Sequence, residues 1–280
     1  MSPQTAVDLH THSHHSDGSL SPADLVGHAA RAGIGMLALT DHDTVAGVAE
    51  ARGAARQFGI RLVPGVEIST TWRHQAIHVL GLWIDPACEP LANLLRGQAV
   101  RRRERMRRIC GKLQRLGLPG DELLSAVESV PGLPTRSHLA AALVAGGHVK
   151  RAEDAFRKFL GAGKPGHVAA EWPPLAETVA AIRGAGGIAS LAHPLRYRLS
   201  SGARGRLLEE FTASGGGALE VVTGANGAQE AGACAALARK FGLRGSIGSD
   251  FHHPQHAWNP LGRLAKLPAG IDPVWREPGP

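Results

Sequence analysis

Fifteen of the 280 residues are histidine, and nine imidazole and carboxylate groups recur beside short apolar runs. His10 and His12 stand two apart in the first such run, so both point to one side of an extended chain, and Asp17 follows in the next turn. Thr40-Asp41-His42-Asp43 closes a second run and Gly65-Val66-Glu67-Ile68-Ser69 a third, while Ile77-His78-Val79 lies within a fourth. Two later runs end in Ala192-His193-Pro194 and Gly248-Ser249-Asp250-Phe251-His252. Imidazole and carboxylate without thiolate suit borderline-to-hard divalent cations such as Mn, Fe or Zn. Nine ligands exceed what one ion needs, so the set points to two or three ions sharing a bridging carboxylate. Ions about 3.5–4 Å apart perform in-line displacement at phosphorus. Asp41 and Asp43 are expected to orient a ligand rather than to bind metal.

Residues so far apart in sequence converge only if the elements carrying them end together. Residues 6–12 read as a strand. Ser21 is placed as the N-cap of a helix with Pro22 at its first position, Leu25, Val26, Ala29 and Ala30 line one face, and Gly33 is placed to end it. A strand at 36–40, a helix at 48–58 and a strand at 61–68 complete a βαβαβ pattern, which predicts parallel strands covered by helices. From about residue 90 to 165 the strand signal disappears: Val100, Met106, Ile109, Cys110, Leu113 and Leu116 recur at helical spacing. Strands resume at 188–192, 219–222 and 245–247, separated by helices at 175–183, 205–213 and 228–241. A barrel of parallel strands collects its C-terminal strand ends on one face, where active sites are built. The Gly/Pro-rich tail after Leu267 reads as a surface terminus.

Composition narrows the classes. No continuous apolar run approaches the roughly 18 residues of a membrane span, and the first eight residues carry no basic-then-apolar secretory pattern, so the expectation is a cytoplasmic chain with no obligate protein partner. Cys88, Cys110 and Cys234 are odd in number and widely spaced, which fits reduced packed thiols rather than a disulfide framework. Only 4% of residues are aromatic, too few for a long base-stacking surface. The formal charge of +7 is concentrated in one segment: Arg96, Arg101, Arg102, Arg103, Arg105, Arg107, Arg108, Lys112 and Arg115 face a single acid, Glu104, and leave the rest of the chain at −1. This run is expected to be a solvated helix face that concentrates anionic substrate. His14, His15, His28, His74, His148, His253 and His256 match no motif and read as surface or loop residues. The tryptophans, Trp72, Trp83, Trp172, Trp258 and Trp275, read as packing residues, with Trp172 best placed to form a wall for a base.

His10-Thr11-His12, Ser16-Asp17-Gly18, Thr40-Asp41-His42-Asp43, Gly65-Val66-Glu67, His78, Ala192-His193-Pro194 and Gly248-Ser249-Asp250-Phe251-His252 together resemble the PHP (polymerase and histidinol phosphatase) metallophosphoesterases, over nearly the whole chain. The resemblance implies an α/β fold, a distorted (β/α)7 barrel formed by residues 1–95 and 167–280, with residues 96–166 as a helical insertion that serves as lid or substrate subdomain. It also implies two or three ions, usually Mn²⁺, with Zn²⁺ or Fe²⁺ as alternatives. The first would take His10, His12, Glu67 and Asp250, the second Glu67, His78 and His193, and the third Asp17, His42 and His252. Asp17, His42, His193 and Asp250 are the residues expected to carry catalysis, with a hydroxide held between two ions attacking phosphorus in line.

Within that family the insertion and His193-Pro194-Leu195-Arg196-Tyr197 look most like the stand-alone bacterial members that remove the 3′-phosphate of nucleoside 3′,5′-bisphosphates, some of which degrade short 5′-phosphorylated RNA from its 5′ end. A small phosphorylated nucleotide, with short RNA as the alternative, is therefore the expected substrate. Its second phosphate needs its own holder, for which Arg136 and Arg196 are the first choices, then Lys164, then His138. Histidinol phosphate hydrolysis, amide hydrolysis at a two-metal site and a non-catalytic regulatory module are the competing readings.

Overall fold

Apolar strands separated by helices bury both faces only by pairing side by side beneath the helices. In the computed structural model, which describes residues 6–224, 226–256 and 259–276, the result is one seven-stranded sheet whose strands lie in sequence order. They are β1 (Ala6–Asp8), β2 (Ile34–Leu39), β3 (Arg61–Trp72), β4 (Gln75–Leu82), β5 (Ile188–Leu191), β6 (Ala218–Thr223) and β7 (Arg244–Gly248). Leu9 N donates to Ile247 O at 2.9 Å and Thr11 bridges Phe251 in parallel, so the last strand returns to the first. The sheet is a nearly closed, distorted barrel. Trp258 and Met1 to Thr5 lie outside the described residues.

Two expectations about the strands need correction. β4 runs antiparallel to both β3 and β5, whereas the other described pairs are parallel. Only Arg73 and His74 separate β3 from β4, and a parallel connection needs a crossover of a dozen or more residues. His78 therefore reaches the site from inside a strand rather than from a C-terminal end. β1 stops at Asp8: beyond it the chain turns its hydrogen bonds to the segment after β7, with His12 N donating to Phe251 O at 2.9 Å.

The helices are α1 (Pro22–Arg31), α2 (Val48–Phe58), α3 (Glu89–Arg115), α4 (Gly120–Glu128), α5 (Arg136–Ala145), α6 (Ala152–Ala155) with a π-helical turn at Phe156–Leu160, α7 (Leu175–Gly184), α8 (Ser201–Ala213) and α9 (Ala228–Phe241). Ser21 caps α1 by accepting from Asp24 N at 3.0 Å. Helix α3 joins two cores. Leu91, Leu94 and Leu95 pack in the barrel core, while Met106, Ile109, Cys110 and Leu113 pack with Leu123, Leu139, Leu143 and Leu160 in a second, all-helical one. Its buried stripe passes through Gln98 and Arg102 at i+4 spacing from Leu94. Val100, expected on that stripe, is out of phase with it and 54% exposed, while Leu116, in phase, is the C-cap beyond the last turn and 48% exposed.

The tail after Leu267 is also not the surface terminus expected of it. Ile271 and Val274 are buried, and the backbone of 272–274 pairs with β7, Gly245 N donating to Asp272 O at 2.8 Å and Val274 N to Gly245 O at 2.9 Å. Gly245 makes the approach possible, since a Cβ there would stand 2.6 Å from Ile271 Cγ2. Among the described residues no helix is long and apolar enough to cross a membrane.

Candidate metal centre

The closure between β1 and β7 builds the first half of the site. Buried Asp8 accepts from Ser249 N at 2.9 Å and from His10 N at 3.3 Å, so the two strand ends are tied across the seam. Asp250 N donates to His10 O at 2.8 Å. Gly248 must be glycine for this contact, because a Cβ there would stand 2.2 Å from the Cβ of His10. Asp250 and His193 hold left-handed φ angles of +57° and +29°, a conformation that costs roughly 1–3 kcal/mol and persists only where neighbours enforce it. His193 N is held by Glu220 Oε2 at 2.6 Å.

Four donor atoms then face one another. His10 Nε2 lies 3.2 Å from Glu67 Oε2 and 3.4 Å from Asp250 Oδ1; His12 Nε2 lies 3.3 and 3.2 Å from the same two oxygens. A tetrahedron of ligands about 2.0–2.1 Å from an ion has edges of about 3.3–3.4 Å, so these atoms have the spacing of a coordination shell. His10 Nε2, His12 Nε2 and Glu67 Oε2 are buried and form no hydrogen bond among the described residues. Orphaned buried polar atoms are costly unless a cation fills the space between them. The donor set fits divalent metal.

Glu67 is the pivot. Its Oε1 is 2.9 Å from His78 Nδ1 and 3.0 Å from His193 Nε2, and its Oε2 is 3.0 Å from His42 Nδ1. On the outer side, Asp17 Oδ1 lies 3.3 Å from His252 Nε2 and 3.8 Å from His42 Nε2. The nine sequence-predicted ligands, His10, His12, Asp17, His42, Glu67, His78, His193, Asp250 and His252, are thus brought onto one end of the barrel.

The rings are aimed by their other nitrogens. His10 Nδ1 pairs with Glu220 Oε1 at 2.9 Å and His252 Nδ1 donates to Asp250 O at 2.8 Å, which leaves Nε2 of each for a ligand role. Asp41 accepts from Ser13 N, Ser13 Oγ and Ser16 Oγ at 2.6–2.7 Å, and Ser16 Oγ is 3.4 Å from His12 Nδ1; this is the orienting role expected of Asp41. Asp43 instead accepts from Ser69 N, Gln98 Nε2 and Arg102 Nε, so it fastens α3 to the barrel. Glu220 and Asp8 belong to no motif. Each is a lone acid in an apolar strand, and that oddity was the available signal, because such residues are buried only with partners.

Burial penalises every charge here, yet the opposite charges win at most positions. Glu67 is held well below the usual carboxylate range by His42, His10 and His78, and Asp17 and Asp250 are held low chiefly by His252 and His10. His252 is pushed up to about 10 by Asp17 and Asp250 against its burial, and His10 is raised well above its ordinary value by Glu67, Glu220 and Asp250. His42 moves the other way: burial dominates, and His12 and His78 repel its charged form.

The centre opens into a cavity of about 680 Å³ walled by Arg102, Arg105, Arg136, Arg196, Phe156 and Trp172, with His74 and His167 also on its lining. Of the predicted phosphate holders, Arg136 and Arg196 line this space, and Arg196 donates to Asp250. Lys164 is exposed on a turn outside it, and His138 serves as a cap of α5, its Nδ1 3.4 Å from Thr135 N. Arg102 and Arg105 belong to the run expected to be solvated. Arg102 is buried against Asp43, and both guanidiniums lie over the Trp172 ring, at 5.3 and 5.8 Å. Burial first, then Arg136, Arg102 and Arg108, push Arg105 down to about 10, and Arg136 is lowered by burial and Arg102. Like charges packed this closely favour a bound anion.

Residues 8–171 match the PHP domain. A 5′-3′ exoribonuclease of Haemophilus influenzae is 41% identical over 270 residues, spanning 96% of this chain and 98% of its own. A 3′,5′-nucleoside bisphosphate phosphatase of Chromobacterium violaceum is 40% identical over 273 residues, spanning 97% and 95%. A solved structure from Chromobacterium violaceum, named an amidohydrolase and holding sulfate without metal, superposes with a TM-score of 0.91 at 39% identity, covering 97% of this chain and 95% of that one. Matched over more than half its length and similar end to end to these proteins, the chain belongs to the PHP domain family.

Proposed function

We propose that the chain is a metal-dependent phosphatase that removes the 3′-phosphate of nucleoside 3′,5′-bisphosphates, such as adenosine 3′,5′-bisphosphate, to leave the 5′-nucleotide and phosphate. The observation that carries this reading is the pairing of a nine-ligand centre with an arginine-lined cavity directly beside it. A substrate with one phosphate uses the centre alone, and a substrate with two also uses the arginines.

Divalent ions at the centre, Mn²⁺ by the family resemblance, supply Lewis acidity: they bring the pKa of water toward neutrality and offset charge on the phosphoryl oxygens. The chain does the rest. Glu67 is central to the ligand set, Glu220 and Asp41 keep the imidazoles aimed, and Arg136 and Arg196 place the second phosphate so that the first lies at the centre. Trp172 and Phe156 exclude water from the cavity walls. Residues 96–166 act as the subdomain that supplies Arg102, Arg105, Arg136 and Phe156. The thiols of Cys110 and Cys234 are buried and held at about 11 and 12 by burial, which keeps them protonated packing groups rather than nucleophiles.

The test is phosphate release from adenosine 3′,5′-bisphosphate with added Mn²⁺, against AMP, 3′-AMP and histidinol phosphate. Equal rates on all four would defeat the substrate assignment and leave the metal centre standing. A second reading, a 5′→3′ exoribonuclease on short 5′-phosphorylated RNA, is supported by the Haemophilus influenzae relative and by exposed Arg101, Arg103, Arg107 and Arg108 on α3. It predicts mononucleotides released in order from a labelled oligonucleotide. Amide hydrolysis fits less well, because it gives no task to the Asp17, His42 and His252 group or to the arginines.

A further inference from the structure

The loop that carries His12 at one end and Asp17 at the other turns two further imidazoles outward. His14 and His15 lie edge to face with ring centroids 4.9 Å apart. Both are half-buried, and neither ring makes a hydrogen bond among the described residues. Facing them is Glu50, exposed in the first turn of α2, whose Oε1 accepts the backbone N–H of Ala23 at 3.1 Å. One nitrogen from each ring and one oxygen of Glu50 lie within 4.8 Å of one another.

The backbone presenting these groups is braced. His14 N donates to Leu20 O at 2.8 Å, and His15 O accepts from Leu133 N at 3.0 Å. Gly132, at φ +88°, allows that second approach, since a Cβ there would stand 2.3 Å from His15 O. The three donors, within 4.8 Å of one another, must draw in to reach the roughly 3.3 Å edges of a tetrahedral shell. The His15 ring packs beside Gly47 at the start of α2, where an added Cβ would stand 2.9 Å from its Cδ2, so it already lies against the helix that carries Glu50.

We propose that His14, His15 and Glu50 form a second divalent-cation site, distinct from the centre at Glu67, that takes an imidazole-preferring ion such as Zn²⁺ with water completing the shell. Two imidazoles and one carboxylate are a recurring three-ligand zinc set with an open fourth position. A small, nitrogen-rich set of this kind favours Zn²⁺ over Mn²⁺ by the general order of divalent affinities. An ion held there ties the loop bearing His12 and Asp17 to α2.

The experiment counts metal rather than turnover. The wild type, His14→Ala/His15→Ala and Glu50→Ala are equilibrated in buffered free Zn²⁺ or, separately, in Mn²⁺, and metal per chain is read by plasma mass spectrometry. Both variants are expected to lose one equivalent of zinc and to keep the wild-type manganese content. Wild-type zinc content in either variant would overturn the proposal. So would a matching loss of manganese, which would assign the missing ion to the catalytic centre. Glu50 lies on α2, away from the ligand loop, so its variant separates loss of a ligand from disturbance of the loop.

Discussion

Arg102 grips Asp43 through two nitrogens, Nε at 2.7 Å and Nη2 at 2.6 Å from the same carboxylate oxygen, with both side chains buried. Asp43 is the residue after the ligand His42, at φ +54°, and its backbone N–H donates to Glu67 O at 2.9 Å. Arg102 continues to Ser69 Oγ at 3.0 Å and covers the Trp172 ring. One ion pair therefore joins α3, the ligand-bearing segment after β2 and the cavity wall.

Removing one partner of a buried pair leaves an uncompensated charge, at a cost of about 3–5 kcal/mol. Asp43→Asn and Arg102→Ala are each expected to destabilise the protein by that order, measured by urea unfolding. The double variant Asp43→Asn/Arg102→Ala should lose clearly less than the two single changes added together. Additive losses in this cycle would mean that the two side chains do not act as a pair.

Glu220 touches no predicted substrate position, yet it holds both the His10 ring and the His193 backbone. Loss of such a support ordinarily costs about 10–100-fold in metal affinity. Glu220→Gln is expected to weaken Mn²⁺ binding within that range while changing KM at saturating metal far less, because it does not line the cavity. Metal affinity equal to the wild type, measured by competition with a chelating indicator, would remove Glu220 from the centre.

Without metal, His10, His12 and His252 have raised pKa values, His252 about 10, so at pH 7 His252 carries a proton that a bound ion must displace. The sign follows: metal binding releases protons, and affinity falls as the pH drops. Each proton displaced weakens binding by about 1.4 kcal/mol for each pH unit of acidification below the raised pKa. Calorimetry at pH 7 in buffers of different ionisation enthalpy should show net proton release on adding Mn²⁺. A heat independent of the buffer would mean that the rings are already neutral.

How much of this was legible in the sequence depended on whether a signal was local. The helices at 48–58 and 228–241 agree with the structure, and Gly59 and Gly242 set their C-terminal ends by adopting the left-handed cap, at φ +67° and +63°. The nine residues that the structure gathers at the centre stood out because each places an imidazole or carboxylate in or beside an apolar run, Glu67 and His78 within a strand itself. Strand direction was not encoded in the alternation: with the third strand expected to end at 68, the two-residue turn at Arg73 and His74 that reverses β4 stayed hidden. Arg102 could not be told from Arg101 or Arg103 by charge. Only the phase of α3 decides which one turns inward, and Val100 pointed to the wrong phase. Glu220 and Asp8 match no motif, since partners such as Ser249 for Asp8 and His10 and His193 for Glu220 are distant in sequence and are brought to them only by the fold.

The cavity makes its own demand on substrate choice. Arg136 projects from the start of α5 and lies 5.8 Å over the Phe156 ring, with Arg105 beside it. A guanidinium in this setting contributes most when an anion sits before it, because hydrogen bonds to charged groups are worth about 1.5–3 kcal/mol. Arg136→Ala is therefore expected to raise KM for a nucleoside 3′,5′-bisphosphate by about 10–100-fold, and KM for a 3′-monophosphate by far less. Asp17→Asn, which removes a charge from the ligand set itself, should instead lower kcat on both substrates. The comparison separates the two halves of the site. Equal losses on both substrates for Arg136→Ala would mean that the arginine wall does not read the second phosphate, and the bisphosphate preference would then need a different holder.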